Sequence, residues 1–113
     1  MIEESDVRAL GPKLLIPSGR VVHLDYGVDS LLDFGDFVVV CLDVPPDMEN
    51  PYFENLIAFN KDGILRWRVK PLPEHVIYLN CARAGAHIAA LGWGVMYYFD
   101  PESGALIKTE ITG

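Results

Sequence analysis

The sequence is poor in cysteine, in basic residues and in long apolar runs. Two cysteines in 113 residues are too few for a disulfide framework. Nine basic residues stand against sixteen acidic ones, for a net charge of −7. Nucleic acid and anionic membranes are therefore not expected as partners, because binding their phosphates needs clustered lysine and arginine. No apolar stretch approaches the roughly 20 residues of a membrane-spanning helix. The acidic start, Met1–Asp6, lacks the basic and apolar regions of a signal peptide, which predicts a cytoplasmic protein.

The chain is rich in residues that can build a core. Half of its residues are hydrophobic and 11% are aromatic, a composition that excludes intrinsic disorder. The length is that of one domain and leaves no room for a second. We therefore expect a single folded domain over residues 1–113.

Patterns typical of helices are scarce. One short N-terminal helix is predicted, with Ser5 as its cap, Arg8–Leu10 behind the cap and Gly11–Pro12 at its end. The rest reads as short apolar runs separated by turns rich in glycine, proline and aspartate, which predicts an all-β domain. The predicted strands are 13–16, 20–25, 30–34, 37–44, 54–60, 64–70, 76–81, 86–91, 95–99 and 105–112.

The predicted strands are of two kinds. Phe37–Leu42 and Val95–Phe99 are apolar without alternation, which predicts that both of their faces are buried. Another strand alternates, with Leu65, Trp67 and Val69 on one face and basic residues on the other. Inner strands covered on both sides and outer strands wetted on one side are typical of stacked β-sheets.

The second half of the chain partly repeats the first. Ile57–Leu65 aligns with Tyr97–Leu106, and in each segment an apolar strand ends at Phe-Asn or Phe-Asp, crosses a glycine turn and returns. Phe59 and Phe99 stand 40 residues apart, a spacing found in propeller blades. The first copy carries about ten extra residues between its strands.

The repeated hairpin carries a resemblance to a known motif. Ala58–Trp67 resembles the A-x-D-x-x-x-G-x-x-x-W motif of quinoprotein-type β-propeller blades, with one turn residue missing and asparagine in place of aspartate. The second copy keeps Asp100 and Gly104 but has Lys108 at the tryptophan position. The chain thus resembles small, stand-alone bacterial proteins with two such repeats. This resemblance implies two propeller-like four-stranded blades packed face to face, with the N-terminal strands added. The repeats then span about 28–70 and 75–112, and the resemblance implies no activity and no cofactor.

Residue types that carry catalysis or bind metals are poorly placed for either role. Cys41 and Cys81 lie inside apolar strands, where a thiol behaves as a small hydrophobic group. His23, His75 and His87 have no metal-ligand spacing with each other or with the cysteines. No serine lies in a nucleophile-elbow motif. We therefore expect neither an enzyme nor a metal site.

The long insertion of the first repeat is the strongest functional candidate, because long loops often carry function. It combines acidic and aromatic side chains, a mixture found at protein interfaces. We expect a non-enzymatic interaction protein, of the kind that immunity proteins represent, with a basic protein as partner. The candidate partner-binding residues are Asp43, Asp47, Glu49, Tyr52 and Glu54.

Two further hypotheses concern Trp93 and self-association. Trp93, flanked by glycines, could form a platform for a carbohydrate or small ligand together with Tyr97 and Tyr98. Its size favours a buried position instead. Strands that are apolar on both sides would leave one outer face uncovered, which predicts a homodimer. The alternative is a monomeric sandwich in which those residues pack internally.

Overall fold

The protein is an all-β domain built from three antiparallel sheets. The structure, a computed structural model, describes residues 2–45, 54–69 and 77–112. These residues form no helix and no closed propeller. The sheets are an N-terminal sheet of order β1–β2–β3, a middle sheet of order β4–β5–β6–β7 and a C-terminal sheet of order β11–β10–β9–β8. The strands are β1 (Arg8–Leu10), β2 (Lys13–Leu15), β3 (Val21–His23), β4 (Val28–Asp33), β5 (Phe37–Leu42), β6 (Leu56–Asn60), β7 (Leu65–Arg68), β8 (Asn80–Ala84), β9 (His87–Leu91), β10 (Val95–Phe99) and β11 (Leu106–Ile111).

The predicted N-terminal helix is wrong. Arg8–Leu10 forms β1, which pairs with β2 across a tight turn at Gly11–Pro12. A single helical turn would gain too few hydrogen bonds to offset its nucleation cost. The hairpin, in contrast, belongs to a sheet that buries Leu14 and the neighbouring Val7 against the middle sheet.

The middle sheet is buried on both faces. All six residues of β5 are buried, which confirms the prediction for Phe37–Leu42. One face packs with the N-terminal sheet in a cluster that includes Leu14, Val38 and Phe59. The opposite face packs with the C-terminal sheet through a second cluster. The two clusters are separate because successive side chains of a strand point to opposite faces.

The C-terminal sheet is an outer layer, and this corrects the expectation for Val95–Phe99. Tyr97 and Phe99 are buried against the middle sheet, whereas Met96 and Tyr98 are only half-buried on the outer face. No further sheet covers that face among the described residues. The strand Val95–Phe99 therefore has one buried face rather than two.

A β-bulge corrects the face assigned to Leu65. In the β6–β7 ladder Ala58 pairs with Trp67 but Phe59 pairs with Leu65, so two residues of β7 oppose one of β6. Leu65 is thereby 45% exposed, whereas Trp67 and Val69 remain buried as predicted. The β10–β11 ladder has an irregularity at the corresponding step beside Phe99.

Polar contacts also join the layers. Arg83 of the C-terminal sheet forms an ion pair with Glu3 at 2.7 Å, and its guanidinium also donates to the Asp33 carbonyl oxygen. Arg66 pairs with Glu102 at 2.6 Å across the middle and C-terminal sheets. These two ion pairs link neighbouring layers near the surface, where such pairs typically contribute about 1 kcal/mol or less.

Candidate functional site

The insertion of the first repeat, residues 43–54, connects β5 to β6, and its two described ends lie at one end of the middle sheet. Asp43 follows β5 and is exposed, and Glu54 precedes β6 and is half-buried. Asp47, Glu49 and Tyr52 lie outside the described residues. Neither Asp43 nor Glu54 forms an ion pair within the part of the chain that the structure describes. Both carboxylates are therefore available to a partner.

A buried asparagine fixes this end of the molecule. The Asn55 side chain donates hydrogen bonds to the carbonyl oxygens of Leu42 (3.0 Å) and Tyr78 (2.6 Å) and accepts one from the Tyr78 N–H (3.1 Å). Asp43 is adjacent in sequence to Leu42, and Glu54 is adjacent to Asn55. The two acids are thus held next to the segment that enters the C-terminal sheet.

Trp93 lies on the surface, so the expectation that it is buried is wrong. Its side chain is 74% exposed. It occupies the tight β9–β10 turn, which is closed by a hydrogen bond from the Gly92 N–H to the Val95 carbonyl oxygen (2.8 Å). Gly94 supplies the positive φ of 72° that this turn requires. This turn lies at the end of an outer sheet, where no other layer packs against it within the described residues. The two flanking glycines have no side chains to cover the indole, so it is exposed to solvent.

The three aromatic residues of the carbohydrate hypothesis do not share one surface. Tyr97 faces the middle sheet, with its ring 5.4 Å from the ring of Tyr78 in an edge-on contact. Tyr98 lies on the opposite face of β10. There its ring lies 4.8 Å from the Lys108 ammonium, and a hydrogen bond with Glu110 raises its pKa. Of these three residues, only Trp93 is mostly exposed.

Two exposed aliphatic residues, Leu79 and Ile111, lie at the same end of the C-terminal sheet as Trp93 and were not predicted from the sequence. Ile111 is 86% exposed and Leu79 is 42% exposed. The Thr112 N–H donates to the Gly94 carbonyl oxygen (3.0 Å), and the Leu79 N–H donates to that of Leu91 (2.8 Å). Leu79, Trp93 and Ile111 therefore follow one end of the C-terminal sheet, and we call them the apolar rim. No sequence pattern distinguishes them from core residues.

The cysteines and histidines stay apart from this rim. Burial raises the pKa of Cys41 well above its ordinary value and that of Cys81 to about 12, so both thiols stay protonated at neutral pH. His23 is exposed and His87 is half-buried, while His75 lies outside the described residues. Within the described ranges no group of three histidine, cysteine or acidic side chains is arranged to hold a metal ion.

A known protein family matches almost the whole chain. Residues 5–111 match DUF7957, a domain of unknown function. The chain belongs to this family. The matched range contains all eleven strands of the described residues, so the DUF7957 domain comprises the three sheets together. No curated protein matches the chain. The described residues include no helix that is long and apolar enough to cross a membrane.

Proposed function

We propose that this DUF7957 domain is a non-enzymatic cytoplasmic interaction protein that binds a basic protein partner through the apolar rim and the adjacent acids Asp43 and Glu54. The observation that carries the proposal is the exposure of Trp93 beside Ile111. Tryptophan combines a large apolar area with few rotatable bonds, and tryptophans at interfaces often contribute more than about 2 kcal/mol to binding. A partner would remove this apolar area from water.

The sign of the charge supports a basic partner. Asn55, which follows Glu54, bonds both to Leu42, which precedes Asp43, and to Tyr78, which precedes Leu79 of the rim. Neither acid forms an ion pair in the described residues. The whole chain carries a net charge of −7. Complementary charge mainly accelerates association and excludes wrong partners, while the buried apolar contacts slow dissociation. Binding is therefore expected to weaken as salt concentration rises.

The surroundings of Trp93 favour a protein over a carbohydrate. A sugar ring stacked on an indole needs hydrogen-bond partners for its hydroxyl groups. The exposed residues that follow the same end of the sheet, Leu79 and Ile111, have aliphatic side chains that offer none. The acids Asp43 and Glu54 adjoin the middle sheet rather than the sheet that carries Trp93. Tyr97, which the carbohydrate hypothesis required, points into the core.

We also infer that the middle and C-terminal sheets are two propeller-like blades stacked in the same sense. Each is a meander of four consecutive strands. Phe59 faces the N-terminal sheet, and its counterpart Phe99 faces the middle sheet, so each sheet presents the same face to the layer before it. Lys108 occupies the position of Trp67 on the outer face of the last blade. A charged side chain there suits a surface on which no further blade of the same chain is stacked.

The proposal is tested by identifying the partner and measuring it in purified form. The wild-type domain is immobilised, proteins from the native organism are captured and identified, and the candidate is purified for calorimetry. We expect a basic protein whose affinity falls at least about tenfold with Trp93→Ala. Asp43→Lys should weaken binding and reduce its dependence on salt.

The matched control is Leu10→Ala, which removes another exposed apolar side chain (63%) at the β1–β2 turn. It should leave the affinity unchanged. If Trp93→Ala and Leu10→Ala bind the purified candidate as tightly as the wild type, the rim is not the interface. An acidic partner would overturn the charge argument.

A further inference from the structure

A groove separates the N-terminal sheet from the outer half of the middle sheet. Its volume is about 300 Å³. Ile64 and Leu65, 52% and 45% exposed, form its apolar floor, and Arg20 and Arg68 also line it. The groove exists because the N-terminal sheet has three strands and the middle sheet has four, so part of the last strand, β7, is left exposed.

Strand β3 borders this groove with an open edge. It pairs only with β2, and the Leu24 N–H donates to the Pro12 carbonyl oxygen (2.7 Å) while the Ile16 N–H donates to that of Arg20 (2.9 Å). In an antiparallel ladder the residues that bond to a given neighbour alternate. The backbone groups of Val21 and His23 therefore point away from β2. Within the described residues they have no other hydrogen-bond partner.

The position of β3 over the middle sheet is fixed by close packing. A Cβ atom added to Gly63, in the β6–β7 turn, would lie 3.2 Å from the side chains of both Arg20 and Val22. This contact fixes the distance between the open edge of β3 and the middle sheet. A strand added there would place apolar side chains on the exposed Ile64 and Leu65.

The charged side chains that line the groove favour an added strand of negative charge. Arg20 and Arg68 form no ion pair within the described residues, unlike Arg66 and Arg83. Asp25 also lines the groove, so with His23 neutral its net charge is +1. Pairing with a second copy through β3 would bring two grooves of net charge +1 together, which disfavours a two-fold arrangement.

We propose that this groove binds an extended acidic segment of a partner protein, which adds to β3 as a fourth strand. Its backbone pairs with Val21 and His23, its apolar side chains cover Ile64 and Leu65, and its carboxylates approach the arginines. This mode of recognition takes affinity from main-chain hydrogen bonds and specificity from alternate side chains. The surface is distinct from the apolar rim and takes a segment of the opposite charge.

The probe is a fluorescein-labelled peptide of alternating valine and glutamate, with the valine–lysine peptide as its charge control. Fluorescence anisotropy should show binding of the glutamate peptide, and Arg68→Glu should weaken it by roughly tenfold or more. Val21→Pro tests the edge itself. It removes a donor that points away from β2, so the β2–β3 ladder stays intact, and edge strands tolerate proline at such positions. We expect it to abolish binding.

Two controls separate this site from the rim and from general charge effects. Arg8→Glu reverses an arginine on β1 that does not line the groove, and Trp93→Ala removes the rim tryptophan. Both should bind the glutamate peptide normally, and amide exchange of Val21 and His23 should slow when it binds. The proposal is overturned if the glutamate peptide does not bind at millimolar concentration. It is also overturned if Arg68→Glu and Val21→Pro bind it normally, or if Val21→Pro instead dissociates a dimer.

Discussion

Replacing Trp67 with alanine should destabilise the domain more than any change to an exposed side chain. Trp67 is 9% exposed and belongs to the cluster between the middle and C-terminal sheets. Its indole N–H donates to the Pro101 carbonyl oxygen at 2.9 Å. The ring also covers Gly104, where an added Cβ would lie 2.7 Å from it. One side chain thus joins a strand of one sheet to a turn of the next.

The expected loss in free energy of unfolding is about 3–5 kcal/mol, the range for truncating a buried large aromatic residue. About 1 kcal/mol of this comes from the hydrogen bond to Pro101, and the remainder comes from lost contacts and the cavity. A domain of this size is stabilised by roughly 5–15 kcal/mol in total. The variant should therefore unfold at a much lower urea concentration than the wild type.

Urea unfolding followed by circular dichroism measures this loss without relying on tryptophan emission. Trp93→Ala is the matched control, because it removes the chain's only other tryptophan from an exposed position. It should change stability by less than about 0.5 kcal/mol. Trp67→Phe keeps an aromatic ring but loses the hydrogen bond, and it should lie between the two.

Fluorescence gives an independent check on the same pair of variants. With Trp93 removed, the remaining emission should be that of a buried indole and should shift to longer wavelength on unfolding. With Trp67 removed, the native emission should already be that of an exposed indole. A stability loss below about 1 kcal/mol for Trp67→Ala would refute the reasoning, because it would mean that the indole faces water and the β6–β7 register is different.

Further predictions concern a glycine turn, acid stability, the thiols and self-association. Gly104→Ala should destabilise by roughly 1–3 kcal/mol more than Gly94→Ala in urea unfolding, because both have positive φ but only Gly104 contacts a side chain. A hydrogen bond from Arg83 lowers the pKa of Glu3 below its ordinary 4.5. The stability contributed by this pair is therefore fully present above pH 4.5 and is lost as pH falls through the lowered pKa, and Arg83→Gln should reduce this loss by less than about 1 kcal/mol. A thiol reagent should find two thiols in the denatured, unreduced protein and almost none in the native protein, since both cysteines are free and buried. Light scattering should give twice the chain mass of 12.6 kDa, with a second copy on the outer face of the C-terminal sheet. A persistent mass of one chain would contradict the homodimer.

Most of the strand content could be predicted from the sequence because its signals are local. Glycine turns and runs of apolar or alternating residues act over two to six positions, so they predict the strand at Phe37–Leu42 and the hairpin after Phe59, and the structure has both. The burial of Trp67 followed from alternation as well. The face of Leu65 did not, because a bulge is decided by how two strands pair and leaves no mark in the residue pattern.

The sequence by itself determined the fold class, most strand positions after Pro12 and the excess of acid, since these depend on composition and on short-range patterns. The tertiary structure alone decided which sheet lies in the middle. That order explains why Phe37–Leu42 is buried on both faces whereas Val95–Phe99 is not. It also left Trp93 in solvent and opened the groove beside β3. Exposure is a property of the neighbouring layers, and those layers are supplied by residues distant in sequence.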